Sequence, residues 1–202
     1  MSFSSAESEM RSTRPSDTTS VAPPNVKVLV AGGFGVGKTT LVGAISEIKP
    51  LRTEELLTAA GVTEDPWIKG KTTTTVALDF GRITLDGVAT MLLFGTPGQE
   101  RFWFMWDALV RGALGAVVLV DPQNLRSSFA AVDFFEQRKI PFVVAANCFD
   151  GHRPYTEQQL RNALSLGDPA TVVRMVDARD RGSVRTILLS LLDHLIALAA
   201  NG

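Results

Sequence analysis

The chain has 202 residues, which is enough for one domain of ordinary size with a core that needs neither disulfides nor a structural metal. Lysine plus arginine number 20 and aspartate plus glutamate 21, so the net charge of -1 gives no electrostatic reason to expect nucleic acid or an anionic membrane as the main partner. The single cysteine, Cys148, excludes an internal disulfide, and no cluster of Cys and His offers the ligands of a structural zinc site.

Targeting signals are missing from the sequence. Serines and charged residues occupy the N-terminus where a signal peptide would be apolar, the chain does not begin with Met-Gly, and it does not end in a prenylation box. No apolar run approaches the roughly 18 residues of a membrane span. We therefore expect a cytoplasmic protein without direct membrane insertion, which associates with a membrane only through partners.

Composition divides the chain into a tail and a domain. Residues 1–24 are mostly Ser, Thr, Pro and charged residues, with little apolar surface to offset the entropy of ordering, so we expect a disordered N-terminal tail. Residues 25–202 are expected to form one domain. Apolar runs alternate there with helical stretches, which is typical of a mostly parallel sheet covered on both faces. The predicted strands are 26–31, 74–80, 91–94, 116–120, 142–146 and 172–176, and the predicted helices are 38–48, 127–138, 156–165 and 183–199.

The pair Asp86-Gly87 predicts a hairpin over 81–89, which makes one strand antiparallel to its neighbour. The expected architecture is an α/β three-layer sandwich whose sheet is mostly parallel, with one antiparallel edge strand.

Residues 32–39, GGFGVGKT, match the phosphate-loop pattern G-x-x-x-x-G-K-[ST] and lie between a predicted strand and a predicted helix. The glycines let successive backbone N–H groups turn toward phosphate oxygens, and the helix N-terminus adds a partial positive charge. Lys38 would reach the β and γ phosphates of a nucleotide, and the Thr39 hydroxyl would ligate magnesium. The fold class is therefore expected to be that of the P-loop NTPases. This loop alone does not choose between adenine and guanine.

Two further segments resemble the switches of small GTPases of the Ras and Rab kind. The run 74–80, TTVALDF, resembles the first switch, which would make Thr75 the threonine that ligates magnesium and senses the γ phosphate. A polythreonine run is also a good strand former, so the neighbouring threonines keep this assignment open. The string 96–102, TPGQERF, resembles the second switch, in which Gly98 would donate its N–H to the γ phosphate and Gln99 would orient the attacking water.

Two later segments resemble the base-reading loops of the same family. The string 147–150, NCFD, resembles the Asn-Lys-x-Asp motif, in which the carboxylate of Asp150 would accept hydrogen bonds from the N1–H and 2-amino groups of guanine. Adenine does not offer this pattern of donors. The string 177–179, DAR, resembles the Ser-Ala-Lys loop, in which the alanine N–H faces the guanine oxygen. The resemblance thus implies GTP or GDP and magnesium as ligands.

The resemblance also assigns roles to individual residues. It implies catalytic roles for Gln99 and Lys38 and metal ligation by Thr39 and Thr75. The nucleotide-binding residues that it implies are Gly33, Phe34, Gly35, Val36, Gly37, Lys38, Thr39, Thr40, Thr75, Gly98, Asn147, Asp150, Asp177, Ala178 and Arg179.

Two positions depart from the family pattern. Gly95 stands where the second switch of the family has an aspartate that holds magnesium through its water shell. Magnesium binding should be weaker unless another acid enters from the same edge of the sheet, and Asp79 and Asp121 are the candidates. Cys148 replaces the usual lysine, whose stem packs on the nucleotide, so we expect lower affinity with the base specificity kept.

Three other features leave interpretations open. Residues 49–70 lengthen the first-switch region, and 53–60 within it could form a short extra helix. The segment is a lid, a partner surface or a mobile loop. The string 102–106, FWFMW, would be costly in water, so it is either a nucleotide-dependent interface or packs beneath the second switch. We interpret His152 and His194 as structural or surface groups, because neither has neighbours that suggest catalysis.

The predicted function is a GTP-binding molecular switch that hydrolyses GTP slowly and is stimulated by a partner. A nucleotide-dependent scaffold that does not hydrolyse GTP is the alternative, because Gly95 replaces an acid of the site. An ATP-using kinase is a third possibility, but it leaves the string 147–150 unexplained. The strings FGTPGQ and RFWFMW resemble, more narrowly, the actinobacterial small GTPases encoded with sensor-kinase-like and Roadblock-type proteins, and this resemblance implies partners of those two kinds.

Overall fold

The computed structural model describes residues 23–49, 51–58, 73–85, 88–151 and 153–201, with the backbone alone for 51–58, 73–77, 150 and 201. Of the predicted N-terminal tail, only Pro23 and Pro24 are among the described residues.

In the described part of the chain, seven strands form a single mixed sheet in the order β2-β3-β4-β1-β5-β6-β7. The strands are β1 (Asn25–Ala31), β2 (Leu51–Thr58), β3 (Thr73–Leu85), β4 (Ala89–Gly95), β5 (Ala113–Val120), β6 (Phe142–Asn147) and β7 (Val173–Val176). Five strands, from β4 across β1 to β7, pair in parallel, whereas β3 is antiparallel to both β2 and β4. The structure confirms the α/β fold with a mostly parallel sheet.

The described residues contain five α-helices, of which the first four connect strands and the last follows β7: α1 (Lys38–Ile45), α2 (Trp106–Leu109), α3 (Phe129–Gln137), α4 (Glu157–Ala163) and α5 (Arg181–Asn201). The predicted helix 38–48 ends at Ile45 because Ser46 has extended backbone angles and Glu47 N–H already pairs with the carbonyl of Arg82 in β3. A capping box at Thr156 and Gln159 fixes the start of α4 one residue after its predicted position.

Alternate residues of the central strands enter two separate cores, because successive side chains of a strand point to opposite faces. Val28 and Val30 of β1 join the core under α1 and α5, and Leu29 and Ala31 join the core under α2, α3 and α4. Both faces of the sheet are therefore covered, as predicted for a three-layer sandwich.

Two expectations about the first-switch region are corrected. A short helix was one interpretation of 53–60, but 51–58 form β2, which pairs with β3 along its whole length from Leu51 opposite Phe80 to Thr58 opposite Thr73. Since β2 lies outside β3, the antiparallel strand is second from the edge rather than at it. Cross-strand pairing with β3 outweighs the weak helical preference of this segment.

Helix α5 contains no uninterrupted apolar run of the length of a membrane span, because Arg185 and Asp193 lie within it. By length and composition alone, its first 20 residues, Arg181–Ala200, are long and apolar enough to cross a membrane. An 18-residue stretch of this helix has a mean hydropathy of 1.5, and 28% of that stretch is buried. Val184, Ile187, Leu188 and Leu191 of this helix pack into the core against the sheet. Burial accounts for these four apolar side chains, whereas Leu189, Ile196 and Leu198 of the same helix are exposed.

Candidate functional site

The segments singled out in the sequence meet at the carboxyl ends of the parallel strands, because these ends lie side by side in the sheet. The phosphate loop follows β1, the second switch follows β4, and the two base-reading strings follow β6 and β7. Between the phosphate loop and the second switch lies a cavity of about 560 Å³. Its lining residues are Phe34, Gly35, Gly37, Lys38, Thr39, Thr40, Asp79, Thr96, Pro97, Gly98, Gln99, Arg101 and Phe102.

Lys38 is held inside the phosphate loop. Its ammonium group donates hydrogen bonds to the carbonyls of Gly32 (3.0 Å) and Gly33 (2.7 Å), and the residue is 9% exposed. Burial lowers the pKa of Lys38 to about 8, and the nearby carboxylate of Asp79 opposes that shift. A cation at this position is available to neutralise phosphate oxygens in the cavity.

The amide of Asn147 joins three loops. Its Nδ2 donates to the carbonyl of Val36 in the phosphate loop at 2.8 Å, and its Oδ1 accepts from the N–H of Ala178 at 3.1 Å. Gly37 has φ +106°, and a Cβ there would lie 2.7 Å from Asn147 Nδ2, so both the backbone angle and the close approach require glycine. The N–H of Ala178, expected to face a guanine oxygen, is thus engaged by a side chain.

The second switch packs directly on the phosphate loop. A Cβ at Gly98 would lie 2.6 Å from Lys38 Nζ and 2.8 Å from the carbonyl of Gly33, so this approach is open only to glycine. Gln99 precedes a 3-10 helix, Glu100–Met105, and lines the cavity. Trp106 Nε1 donates to the buried carbonyl of Pro97 at 3.0 Å and so ties the segment to α2.

Oxygen atoms collect beside the phosphate loop. Thr39 Oγ1 donates to Asp79 Oδ2 at 2.6 Å, and Thr96, which is 3% exposed, lines the same cavity. Hydroxyl and carboxylate oxygens are the ligands that magnesium prefers, so this donor set fits a magnesium ion. Asp121, the other acid considered for this role, accepts from Gln123 N–H and lines a different cavity.

The base-reading segment borders a smaller cavity of about 190 Å³, lined by Asp121, Pro122, Gln123, Asn147, Cys148, Phe149 and Pro154. Cys148 is 7% exposed, and burial raises the pKa of its thiol. Asp150 lies in the short 3-10 helix Phe149–Gly151, and its side chain is outside the described residues. Arg179 pairs with both carboxylate oxygens of Asp177, and its guanidinium lies 4.8 Å from the centre of the Phe149 ring.

The aromatic string after the second switch is mostly packed. Phe102, Met105 and Trp106 are buried, Trp103 is partly buried against the α3 face of the sheet, and Phe104 is 66% exposed. Packing beneath the second switch thus accounts for four of the five residues, and an interface would have Phe104 as its apolar contact.

Several predicted site residues are placed only in part. Thr75 lies in β3 opposite Leu56, but its side chain is outside the described part of the chain. The side chain of Val36 is buried in the core, which leaves only its backbone facing the loop. His152 is outside the described residues, and His194 is buried in α5.

Sequence reasoning named Asp79 and Asp121 as candidate acids for magnesium without choosing between them, and it missed Thr96. A buried hydroxyl in a loop has no signature in sequence. The signal for Asp79 was the missing acid at position 95, which directed attention to acids at the same edge of the sheet.

Solved structures with the same fold include G domains of iron transporters. The G domain of the T. maritima FeoB iron transporter superposes with a TM-score of 0.59 at 20% identity, covering 84% of this chain and 98% of that one. The cytosolic domain of the same transporter in its apo form gives 0.60 at 19% identity, and this chain spans 64% of it. At these identities the similarity establishes the fold.

Curated relatives are closer in sequence. The uncharacterized protein MJ1339 of Methanocaldococcus jannaschii is 34% identical over 127 residues, which cover 62% of this chain and 71% of that protein. GTP-binding protein ypt2 of Schizosaccharomyces pombe is 30% identical, with 70% and 68% covered. Ypt/Rab-type GTPase YPT7 of Saccharomyces cerevisiae is also 30% identical, with 71% and 69% covered.

A protein-family model described as "Conserved hypothetical ATP binding protein" matches residues 30–198. By the length of that match and by the identity to the two yeast proteins, the chain belongs to this nucleotide-binding family and to the small GTPases.

Proposed function

We propose that the chain is a GTP-binding molecular switch that slowly hydrolyses GTP to GDP and signals through its two switch segments. The observation that carries the proposal is the approach of Gly98 to Lys38, where a Cβ would lie 2.6 Å from the ammonium nitrogen. A second switch this close to the phosphate loop must respond to whatever the loop holds. The GTPase names of the curated relatives support the same function.

The residues of the cavity divide the work as follows. Lys38 neutralises charge on the β and γ oxygens, Gly98 donates its N–H to the γ phosphate, and Gln99 orients the attacking water. Magnesium, held by Thr39 and Thr75, would shield the charge of the phosphates when bound. Each of these groups stabilises charge without itself forming a bond to the phosphate.

We propose that hydrolysis is slow in the free protein and is stimulated by a partner. Arg101 lines the cavity, but its guanidinium lies over the ring of Phe102, 4.7 Å from its centre. While the Arg101 guanidinium stays on this ring, it does not stabilise the charge of the transition state. A partner protein that supplies a cation to the site is a common means of stimulating hydrolysis. Hydrolysis that is fast in the isolated protein would contradict this.

Guanine selectivity is proposed for Asp150. Titration calorimetry of GTP, GDP and ATP, with and without magnesium, should show binding of the guanine nucleotides only. Asp150→Asn should abolish that selectivity, because the NH2 group of the asparagine amide is a donor and would face the N1–H and 2-amino donors of guanine. Asp133→Asn, an exposed acid of α3, is the matched control. Equal binding of ATP would instead favour the activity that the family description names.

A scaffold that binds GTP but does not hydrolyse it is the second candidate, and the glycine at position 95 favours it. Single-turnover assays with magnesium, alone and with a partner, separate the two candidates. GDP formed in either assay supports the switch, and no GDP in both supports the scaffold.

We propose Roadblock-type and sensor-kinase-like partners for a cytoplasmic protein that reaches membranes through them. Phe104, exposed beside the second switch, is the apolar contact such a partner would cover. Co-purification with a Roadblock-type protein should depend on the bound nucleotide and should be lost in Phe104→Ser. Co-purification that is indifferent to both would count against these partners.

A further inference from the structure

We propose that Asp79, assisted by the Thr96 hydroxyl, supplies in this chain the magnesium-holding group that small GTPases carry at the position of Gly95. The inference rests on the proposed function, because magnesium is bound together with a nucleotide. It moves the acid of the metal site from the second switch to β3.

The pairing of β3 with β4 brings Asp79 to the required place. Phe80 lies opposite Phe94, so the next pair in this antiparallel register is Asp79 and Gly95. A Cβ built on Gly95 would lie 3.0 Å from Asp79 Cβ and 3.2 Å from Asp79 Oδ2. The Asp79 carboxylate therefore occupies the space into which a side chain at position 95 would project.

The hydrogen bond from Thr39 prepares both groups for a metal. Thr39 Oγ1 donates its proton to Asp79 Oδ2 at 2.6 Å, and this leaves the lone pairs of the hydroxyl free to ligate a cation. The second oxygen of the carboxylate remains able to accept from a metal-bound water. A carboxylate that orients a ligand in this way is a common second layer of metal sites.

Thr96 provides an independent observation. Its hydroxyl is buried, 3% of the residue being exposed, and has no hydrogen-bond partner among the described residues. Leaving a buried hydroxyl unpaired costs about 1 to 3 kcal/mol. Since Thr96 lines the same cavity as Thr39 and Asp79, a water of the magnesium shell can satisfy it.

Position in the cavity selects Asp79 over the other acids. Among the described residues that line the cavity, it is the only carboxylate. Asp121 is engaged by Gln123 N–H beside the base-reading segment. The metal acid of this chain thus belongs to the strand that also carries Thr75, and the second switch contributes only the hydroxyl of Thr96.

The test measures retention of fluorescent GDP as free magnesium is varied by titration with chelator. Asp79→Asn, which keeps the shape of the side chain, should raise the magnesium concentration needed for half retention by about 10- to 100-fold. Thr96→Val should raise it by roughly three- to tenfold, while thermal stability without nucleotide stays the same or rises, because an unpaired polar group is removed. Asp133→Asn is the matched surface control and should leave the curve unchanged.

A swap completes the test. In Asp79→Ala with Gly95→Asp, the carboxylate returns to β4 and the space next to it is vacated, so magnesium dependence should recover toward that of the unmodified chain. An unchanged magnesium curve in Asp79→Asn, with folding intact by circular dichroism, would overturn the inference. If the unmodified chain bound no guanine nucleotide at all, the proposed function itself would fail, and this outcome is distinct from nucleotide binding that does not respond to magnesium.

Discussion

Lys38 carries a charge into a nearly closed loop, with the carbonyls of Gly32 and Gly33 as its hydrogen-bond partners. Burial lowers its pKa to about 8. Bound phosphate stabilises the ammonium form and raises that pKa again, so nucleotide binding takes up a proton when the free lysine is neutral. Affinity should therefore be constant well below pH 8 and fall as the pH rises through 8.

The expected decrease between pH 6.5 and pH 8.5 is roughly fourfold, which is the loss of the protonated fraction for a pKa of about 8. Calorimetric titration of GDP at these two values measures it. Lys38→Arg keeps the charge at all these values and should show no such change, whatever its absolute affinity. An equal slope in both proteins would mean that another group titrates.

At the scale of elements, Trp106 connects α2 to the turn of the second switch. Trp106→Phe keeps an aromatic ring in the core but leaves the buried carbonyl of Pro97 without its donor. We expect a loss of about 1 to 3 kcal/mol in the free energy of unfolding, measured by urea denaturation. The rate of amide hydrogen exchange in residues 96–101 should rise as this stability is lost.

Trp103→Phe is the matched control for this prediction. The indole N–H of Trp103 is buried and has no hydrogen-bond partner among the described residues. Trp103→Phe should therefore lower the free energy of unfolding less than Trp106→Phe does, or raise it. Equal losses in the two variants would mean that ring size, rather than the hydrogen bond, stabilises the switch.

The elements also show how far sequence could lead. Six strands and four helices were predicted near their observed positions, because the strands carry short apolar runs and the helices lie between them in the pattern of an α/β sheet. The strand β2 was not predicted, since its stability comes from pairing with β3, which no local pattern encodes.

The placement of Asp79 depended on a single residue of loop length. A two-residue turn at Asp86-Gly87 would pair Leu85 with Val88 and set Asp79 opposite Phe94. The structure pairs Leu85 with Ala89, which sets Asp79 opposite Gly95 instead. A shift of one residue changes which side chains meet across a sheet, and sequence does not fix loop length that closely.

At the scale of the whole molecule, the site is assembled from loops far apart in sequence, and Asn147 is the link between them. It joins Val36, 111 residues away, to Ala178 through two hydrogen bonds of one buried amide. The order of these loops along the chain could be predicted, but this link could not, because the sequence motif assigned Asn147 to the nucleotide. The structure shows an amide whose described partners are both protein atoms.

Asn147→Ala should therefore weaken the protein even without nucleotide. It removes two hydrogen bonds and leaves a carbonyl and an N–H to find other partners, so we expect a loss of about 2 to 4 kcal/mol in the free energy of unfolding. Denaturation of the nucleotide-free protein measures this loss. The control is Asn162→Ala, which changes an exposed asparagine of α4, and its free energy of unfolding should lie within about 0.5 kcal/mol of that of the unmodified chain. If Asn147→Ala lost nucleotide affinity but kept its stability, the amide would act on the base alone, and the three loops would be held in place by the sheet rather than by this side chain.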